Sequence, residues 1–266
     1  MKRVFITGAS SGIGLATATL LSGRGHEVWG TSRDLARIPP LPHLHAVQLD
    51  LRDPVSLSDG FATALREAGY FDVVINNAGS GHFGPAEFLS MEELYSQFQI
   101  LGFAHIQLCQ LALRAMKERG GRIINVTSLV SRLPIPFMSA YNAAKAAMAS
   151  FSMTLQLEIE GSNIRVIDLQ PADIRTEFND KIARDEAGDS RYSAKLTQAW
   201  RVADRNMNAA PSPELVAQRI AKLIDDPNPP PRVTVGGSFQ AVVAPLAFRF
   251  LPQRLRLWVL RKYYGI

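Results

Sequence analysis

A short apolar run, RVFIT at 3–7, leads into the turn Gly8-Ala-Ser-Ser-Gly12-Ile-Gly14, and LATATLLSGRG follows with apolar residues at helical spacing. No other stretch limits the fold so tightly. Strand, glycine turn and helix in that order build a phosphate site. The glycines permit a tight turn and close approach of a pyrophosphate, and the helix N-terminus offers unpaired N–H groups at the positive end of its dipole. Gly8, Ser10, Ser11, Gly12, Ile13 and Gly14 are therefore expected to cradle a nucleotide. Glycine clusters without such flanks are plain turns.

The rest of the chain repeats the alternation. Strand-like runs occur at 27–32, 46–51, 71–76, 122–128, 164–171 and 232–236, with helical runs at 55–68, 92–118 and 213–224 and from Tyr141 to about Glu160. That pattern predicts βαβ units in one α/β domain spanning 1–266, a doubly wound parallel sheet of about seven strands with helices on both faces. Ligands bind such sheets at the carboxyl ends of the strands. The glycine turn, Asn77, Ser128 and Pro171 all lie at such ends and should converge on one cleft.

The second strand ends at Ser32-Arg33-Asp34, where an adenosine ribose is expected. An acidic residue there favours a free 2′-hydroxyl and an arginine a 2′-phosphate. Arg33 comes first, so NADP(H) is favoured, with NAD(H) still possible. Asp50, beside Leu51, either accepts a hydrogen bond from an adenine amino group or caps the helix starting near Pro54.

Tyr141 and Lys145 stand four apart in an alanine-rich helical run, which places them one turn apart on one face. A cation beside a phenol favours the phenolate, so Tyr141 could exchange a proton near neutral pH. Ser128, 13 residues upstream at a strand end, could hydrogen-bond a substrate oxygen. Taken alone, Tyr-x-x-x-Lys is more often a solvated surface pair.

Composition narrows the field. The 266 residues are 47% hydrophobic and 20% charged, with a net charge of +5 and no aromatic interleaving of the basic residues, so nucleic-acid binding is not expected. The single cysteine, Cys109, rules out an intramolecular disulfide and reads as a helix core residue in a reducing compartment. His43, His45, His82 and His105 lack metal-ligand spacing, and no metal site is expected. A strand that starts almost at Met1, and the lack of any apolar run near 20 residues, point to a cytoplasmic protein.

TGASSGIG at 7–14, Asp50, NNAG at 76–79, Ser128, YNAAK at 141–145 and the stretch Pro171 to Thr176 together resemble the short-chain dehydrogenases/reductases of the common single-domain type, in register over roughly 1–177. The resemblance implies a Rossmann-like fold and NAD(P)-dependent interconversion of an alcohol and a carbonyl. It implies Tyr141 as general acid/base, Lys145 lowering its pKa and holding the nicotinamide ribose, and Ser128 orienting the substrate oxygen. It also implies a dinucleotide held by Asn77, Ala78, Gly79, Pro171, the backbone of Ile174 and the hydroxyl of Thr176, and a homodimer or homotetramer. Two positions depart from the pattern. Gln99 stands where an asparagine usually anchors a proton-relay water, and Ala172 replaces a glycine. A catalytically weak nucleotide sensor or scaffold of the same fold is the alternative that Gln99 suggests.

The expected substrate is a small-molecule alcohol or ketone, with Leu129, Val130, Leu133, Phe137 and Phe178 as an apolar lining. Residues 172–207 read as a lid of short helices, and 238–266 as an apolar, basic tail. Pro245 and Pro252 should break the tail into two short helices, the second with Leu251, Leu255, Trp258 and Val259 on one face and Arg256 pointing outward. Such a tail either packs over the cleft or a neighbouring subunit, or makes peripheral contact with a membrane.

Overall fold

The computed structural model describes residues 1–185 and 190–266. In chain order the elements are β1 (Arg3–Ile6), α1 (Gly12–Gly23), β2 (Glu27–Ser32), β3 (Leu44–Gln48), α2 (Pro54–Ala68), β4 (Val73–Asn76), β5 (His82–Phe83), α3 (Met91–Phe98), α4 (Ala104–Met116) and β6 (Gly121–Val126). They continue as α5 (Ser139–Glu158), β7 (Ile164–Pro171), β8 (Ala183–Arg184), α6 (Ser190–Ala209), α7 (Pro213–Asp225), β9 (Arg232–Val235), α8 (Ala244–Phe250) and α9 (Gln253–Tyr264).

Seven strands form one sheet in the order β3-β2-β1-β4-β6-β7-β9, and every neighbouring pair is parallel. Parallel strands bury both faces, and β1 shows how the pleat divides its side chains. Val4 and Ile6 join the core beneath α1 and α7, with Leu21, Val216 and Ile220. Phe5 turns to the opposite core, with Phe61 of α2, Leu108 of α4 and Leu155 of α5. The strand order reverses between β1 and β4. The crevice opened there, at the carboxyl ends, is where a doubly wound sheet binds its ligand.

Four expectations need correction. The third strand lies at Leu44–Gln48, not at 46–51, because its register runs from Val28↔Leu44 to Ser32↔Gln48 and β2 stops there. The long helix at 92–118 is two α-helices joined by a π-helical turn, Gln99–Phe103, which inserts an i→i+5 step and so changes which face follows. The expected lid of short helices contains one 20-residue helix, α6, whose sequence has neither glycine nor proline to break it; lid residues 186–189 lie outside the described residues. In the tail, Pro252 does separate two helices, but Pro245 does not: a π-helical turn at Phe239–Val243 runs directly into α8, with Pro245 in its first turn where no amide donor is needed.

Arg256 does not point outward either. Its guanidinium folds back to the carbonyls of Leu251 (2.7 Å) and Arg249 (3.2 Å), satisfying acceptors left open where α8 ends.

Candidate active site

The glycine turn between β1 and α1 has a conformation that its sequence requires. Gly8 and Gly12 take φ of 73° and 54°, in the region where a side chain is strained. At Gly14, a Cβ would lie 2.1 Å from the Gly8 carbonyl oxygen, so this third glycine serves close packing and does not line the cleft. Ser11 caps α1 by position only, with no side-chain hydrogen bond, which leaves the first-turn amides open to an anion. Asn77 braces the turn: its Nδ2 donates to the Thr7 carbonyl (2.9 Å), while the Thr7 hydroxyl accepts from the amides of Asn77 (3.0 Å) and Ala78 (3.1 Å).

At the outer end of the cleft stand Arg33, Arg37, Asp50, Leu51 and Arg52. Asp34 lines this end too, one of its carboxylate oxygens accepting from the Ala36 amide (3.0 Å) as a cap. Among the described residues the Arg33 guanidinium has no hydrogen-bonded partner; only its carbonyl is engaged, by Gln48. Asp50 does not cap α2, a role taken by Asp53. Instead Arg52 grips the Asp50 carboxylate (Nη2 to Oδ2, 2.6 Å), and that hydrogen bond lowers the acid's pKa.

From there a cavity of about 1020 Å³ runs past Gly8–Ile13, Ala78 and Gly79 to Ser128, Tyr141 and Lys145, with Pro171, Ile174 and Thr176 opposite. Thr176 closes over the turn, since a Cβ at Gly12 would meet its Cγ2 at 3.3 Å. A glycine cradle, an open helix N-terminus and a basic far end fit a dinucleotide.

The chemical end departs from expectation in its electrostatics. Burial pushes the Tyr141 phenol up to about 12; a hydrogen bond with Ser128 opposes that shift, and the negative charge of Asp173 adds to it. Lys145 has a partner of its own. Its ammonium donates to the Val126 carbonyl (2.8 Å) and stands 5.9 Å from the Tyr141 ring centre. Burial brings Lys145 down to about 8, with buried Asp168 acting the other way. The lysine is thus anchored to the end of β6, below the phenol. The Ser128 hydroxyl accepts from the Val130 amide (3.3 Å), which fixes its oxygen at the mouth of β6.

Two expected residues lie elsewhere. Gln99 is not part of the lining; its Nε2 donates to the Leu51 carbonyl (3.1 Å), tying the π turn to the adenosine side, away from Tyr141. Phe137 takes a φ of 65°, which turns its ring onto Phe83 (5.9 Å between centres) and out of the cavity. Ile135 and Met138 line the cavity in its place, beside the expected Leu129, Val130, Leu133 and Phe178. Cys109 is a core residue as expected, and His105 is one too: burial raises the thiol to about 12 and lowers the imidazole to about 3, while His105 Nε2 pairs with the Ala78 carbonyl at 3.0 Å.

Sequence reasoning missed much of the far wall. Trp200 and Met207 of α6 contribute to it, and so do Phe248, Leu260 and Tyr264 of the tail. It also missed Asp173, which lines the cavity and accepts from Gln240 Nε2 at 2.6 Å. That the tail packs over the cleft was one of the readings open from sequence; which of its residues reach the cavity was not legible.

Comparison with known proteins agrees with this geometry. The short chain dehydrogenase family profile matches residues 2–187. The chain is similar end to end to a 3-ketodihydrosphingosine reductase of Bacteroides thetaiotaomicron, with 32% identity over 99% of this chain and 98% of the relative. It is 31% identical to a probable short-chain type dehydrogenase/reductase of Helicobacter pylori over 93% of this chain and 92% of that one. Among solved structures, a short-chain dehydrogenase from Streptomyces avermitilis superposes with a TM-score of 0.79 at 27% identity, covering 98% of this chain and 93% of that chain. With the Rossmann-like sheet, the glycine turn and the Ser128, Tyr141 and Lys145 cluster in one cleft, the chain belongs to the short-chain dehydrogenase/reductase family and is an NAD(P)-dependent oxidoreductase acting on hydroxyl and carbonyl groups.

Proposed function

We propose that the chain is an NADP(H)-dependent oxidoreductase that interconverts a ketone and an alcohol on a long, apolar molecule. The observation that carries this reading is the far wall of the cavity, built by α6 and the tail from Trp200, Phe248, Leu260 and their neighbours. The full-length relative, named for reduction of a sphingoid ketone, supports it because that similarity runs through the tail. The Arg33 guanidinium, with no hydrogen-bonded partner among the described residues, supports the 2′-phosphate form of the cofactor.

When bound, the nicotinamide supplies or receives the hydride. Ser128 holds the substrate oxygen, and Tyr141 gives that oxygen a proton in reduction or takes one in oxidation. A neutral phenol, which burial favours here, is the form that donates. Lys145, fixed by Val126, stands ready to hold the ribose and replenish the proton. The sensor alternative loses its motive, since Gln99 is engaged with Leu51. Purified protein given NADPH and long-chain ketones should consume NADPH; cofactor binding without consumption across a broad panel would refute the reading.

The tail supports delivery from a membrane surface. Phe239, Val242, Leu246 and Phe250 give the tail an exposed apolar surface, with Phe250 76% exposed, and Trp258 lies exposed on α9. Exposed Arg249, Arg254, Arg261 and Lys262 surround it, a complement to anionic headgroups. No helix among the described residues is long and apolar enough to cross a membrane, so the contact is peripheral. Intact protein should co-sediment with phosphatidylglycerol vesicles at low salt and stay behind when Phe250 and Trp258 are both changed to Ser. Intact protein left in the supernatant would end the idea.

A second exposed apolar face supports self-association. Phe103 of the π turn and Met153 and Leu157 of α5 lie together on the outer side of the helical layer. A homodimer through this face is expected, and light scattering giving 29.2 kDa at every concentration would exclude it.

A further inference from the structure

Asp173 is an unusual group for this cavity. It follows β7 by two residues and lines a cavity whose lid and tail walls are largely apolar. Its Oδ2 accepts from Gln240 of the tail at 2.6 Å. Among the described residues no cation pairs with it and no donor reaches Oδ1. Nor is that oxygen sealed away, since it is absent from the buried polar atoms that lack partners. It therefore opens on the cavity. The carboxylate lines the same cavity as Tyr141 and Tyr264, and its negative charge opposes ionisation of both phenols. A carboxylate in an apolar enclosure is costly unless an opposite charge meets it. Protein donors supply only one amide.

We infer that Asp173 is a recognition site for a substrate ammonium group, so that the preferred ligand is a long-chain molecule carrying a primary amine. This rests on the proposed alcohol/ketone chemistry for the reacting centre but not for the binding itself. Gln240 holds Oδ2 in place and leaves Oδ1 for the ligand. A polar tail residue thus finishes a site whose acid comes from the sheet, and the tail becomes a selector as well as a wall. Burial raises the pKa of Asp173, and an ammonium would favour its ionised form again.

Binding of decylamine and of 1-decanol to the full-length protein saturated with NADPH tests this by calorimetry. The two probes share a chain and differ in charge. Wild type should bind the amine at least about tenfold more tightly, the factor expected of a charge-assisted contact. Asp173→Asn should erase the preference, and Asp173→Glu should keep part of it; bound NADPH and an unchanged unfolding temperature certify that each variant is folded. Equal binding of the two probes to wild type, or a preference that survives Asp173→Asn, overturns the inference. Loss of NADPH affinity with no change in the amine/alcohol ratio also overturns it, since Asp173 would then serve the cofactor. Because these readouts need no turnover, a failure to reduce long-chain ketones would count against the proposed function alone.

Discussion

Tyr141→Phe is expected to lower kcat by about three orders of magnitude, within the span attributed to positioned acid–base groups. The change removes one oxygen and leaves the ring, which packs against Phe178 at 5.6 Å between centres. The wall of the cavity is therefore kept, and the Kd for NADPH should move less than about twofold, well under one hydrogen bond's worth. Steady-state turnover of any long-chain ketone, read beside NADPH titration, checks both parts. The phenol's raised pKa makes the contrast sharp. With Lys145 anchored on Val126, no second side chain of comparable acidity touches the Ser128 oxygen. Turnover near the wild-type rate in Tyr141→Phe would mean that another group carries the proton.

Arg33→Ala is expected to weaken NADPH binding about 10- to 100-fold and to leave NADH nearly unchanged. A charge-assisted contact is worth about 1.5–3 kcal/mol, and each 1.4 kcal/mol is a factor of ten. The neighbouring arginines do not replace it equally. Arg52 is committed to Asp50 through its Nε and Nη2. Arg37, on the turn that Asp34 caps, lines the same end of the cavity and limits the loss. Dissociation constants for both nucleotides, measured on both proteins, give the answer. A parallel loss for NADPH and NADH would place Arg33 on the pyrophosphate or in the fold.

The sheet and the cofactor turn were legible because their signals are local. Gly8, Gly12 and Gly14 sit between β1 and α1, and each strand announces itself within six or so apolar residues. The β3 boundary was not legible, since its end is set by where β2 stops pairing, 16 residues away in register. Gln99 was misplaced because a π turn is invisible to a count by 3.6, and one added residue rotates the side chain toward Leu51. Phe137 failed for a similar reason: proximity to Ser128 in sequence said nothing of its positive φ. The pairing of Tyr141 with Lys145 was correct in spacing, yet spacing could not show that the Val126 carbonyl would take the ammonium. Asp173 escaped notice altogether, because its partner Gln240 lies 67 residues on and its meaning depends on a wall that the tail provides.

The tail's position over the cavity separates two kinds of inheritance. The groups proposed to move protons and grip the dinucleotide all precede Glu177, whereas the far wall of the cavity comes from α6 onward, and many of its residues follow Gly236-Gly237. Gly237 has nothing within 4 Å of where a Cβ would stand, so other residues fit at this junction without a clash. A crossover between related genes at that codon would exchange much of the selecting surface in one event, with the reacting centre untouched. Taste for a new ligand can thus change in a lineage while the chemistry stays fixed.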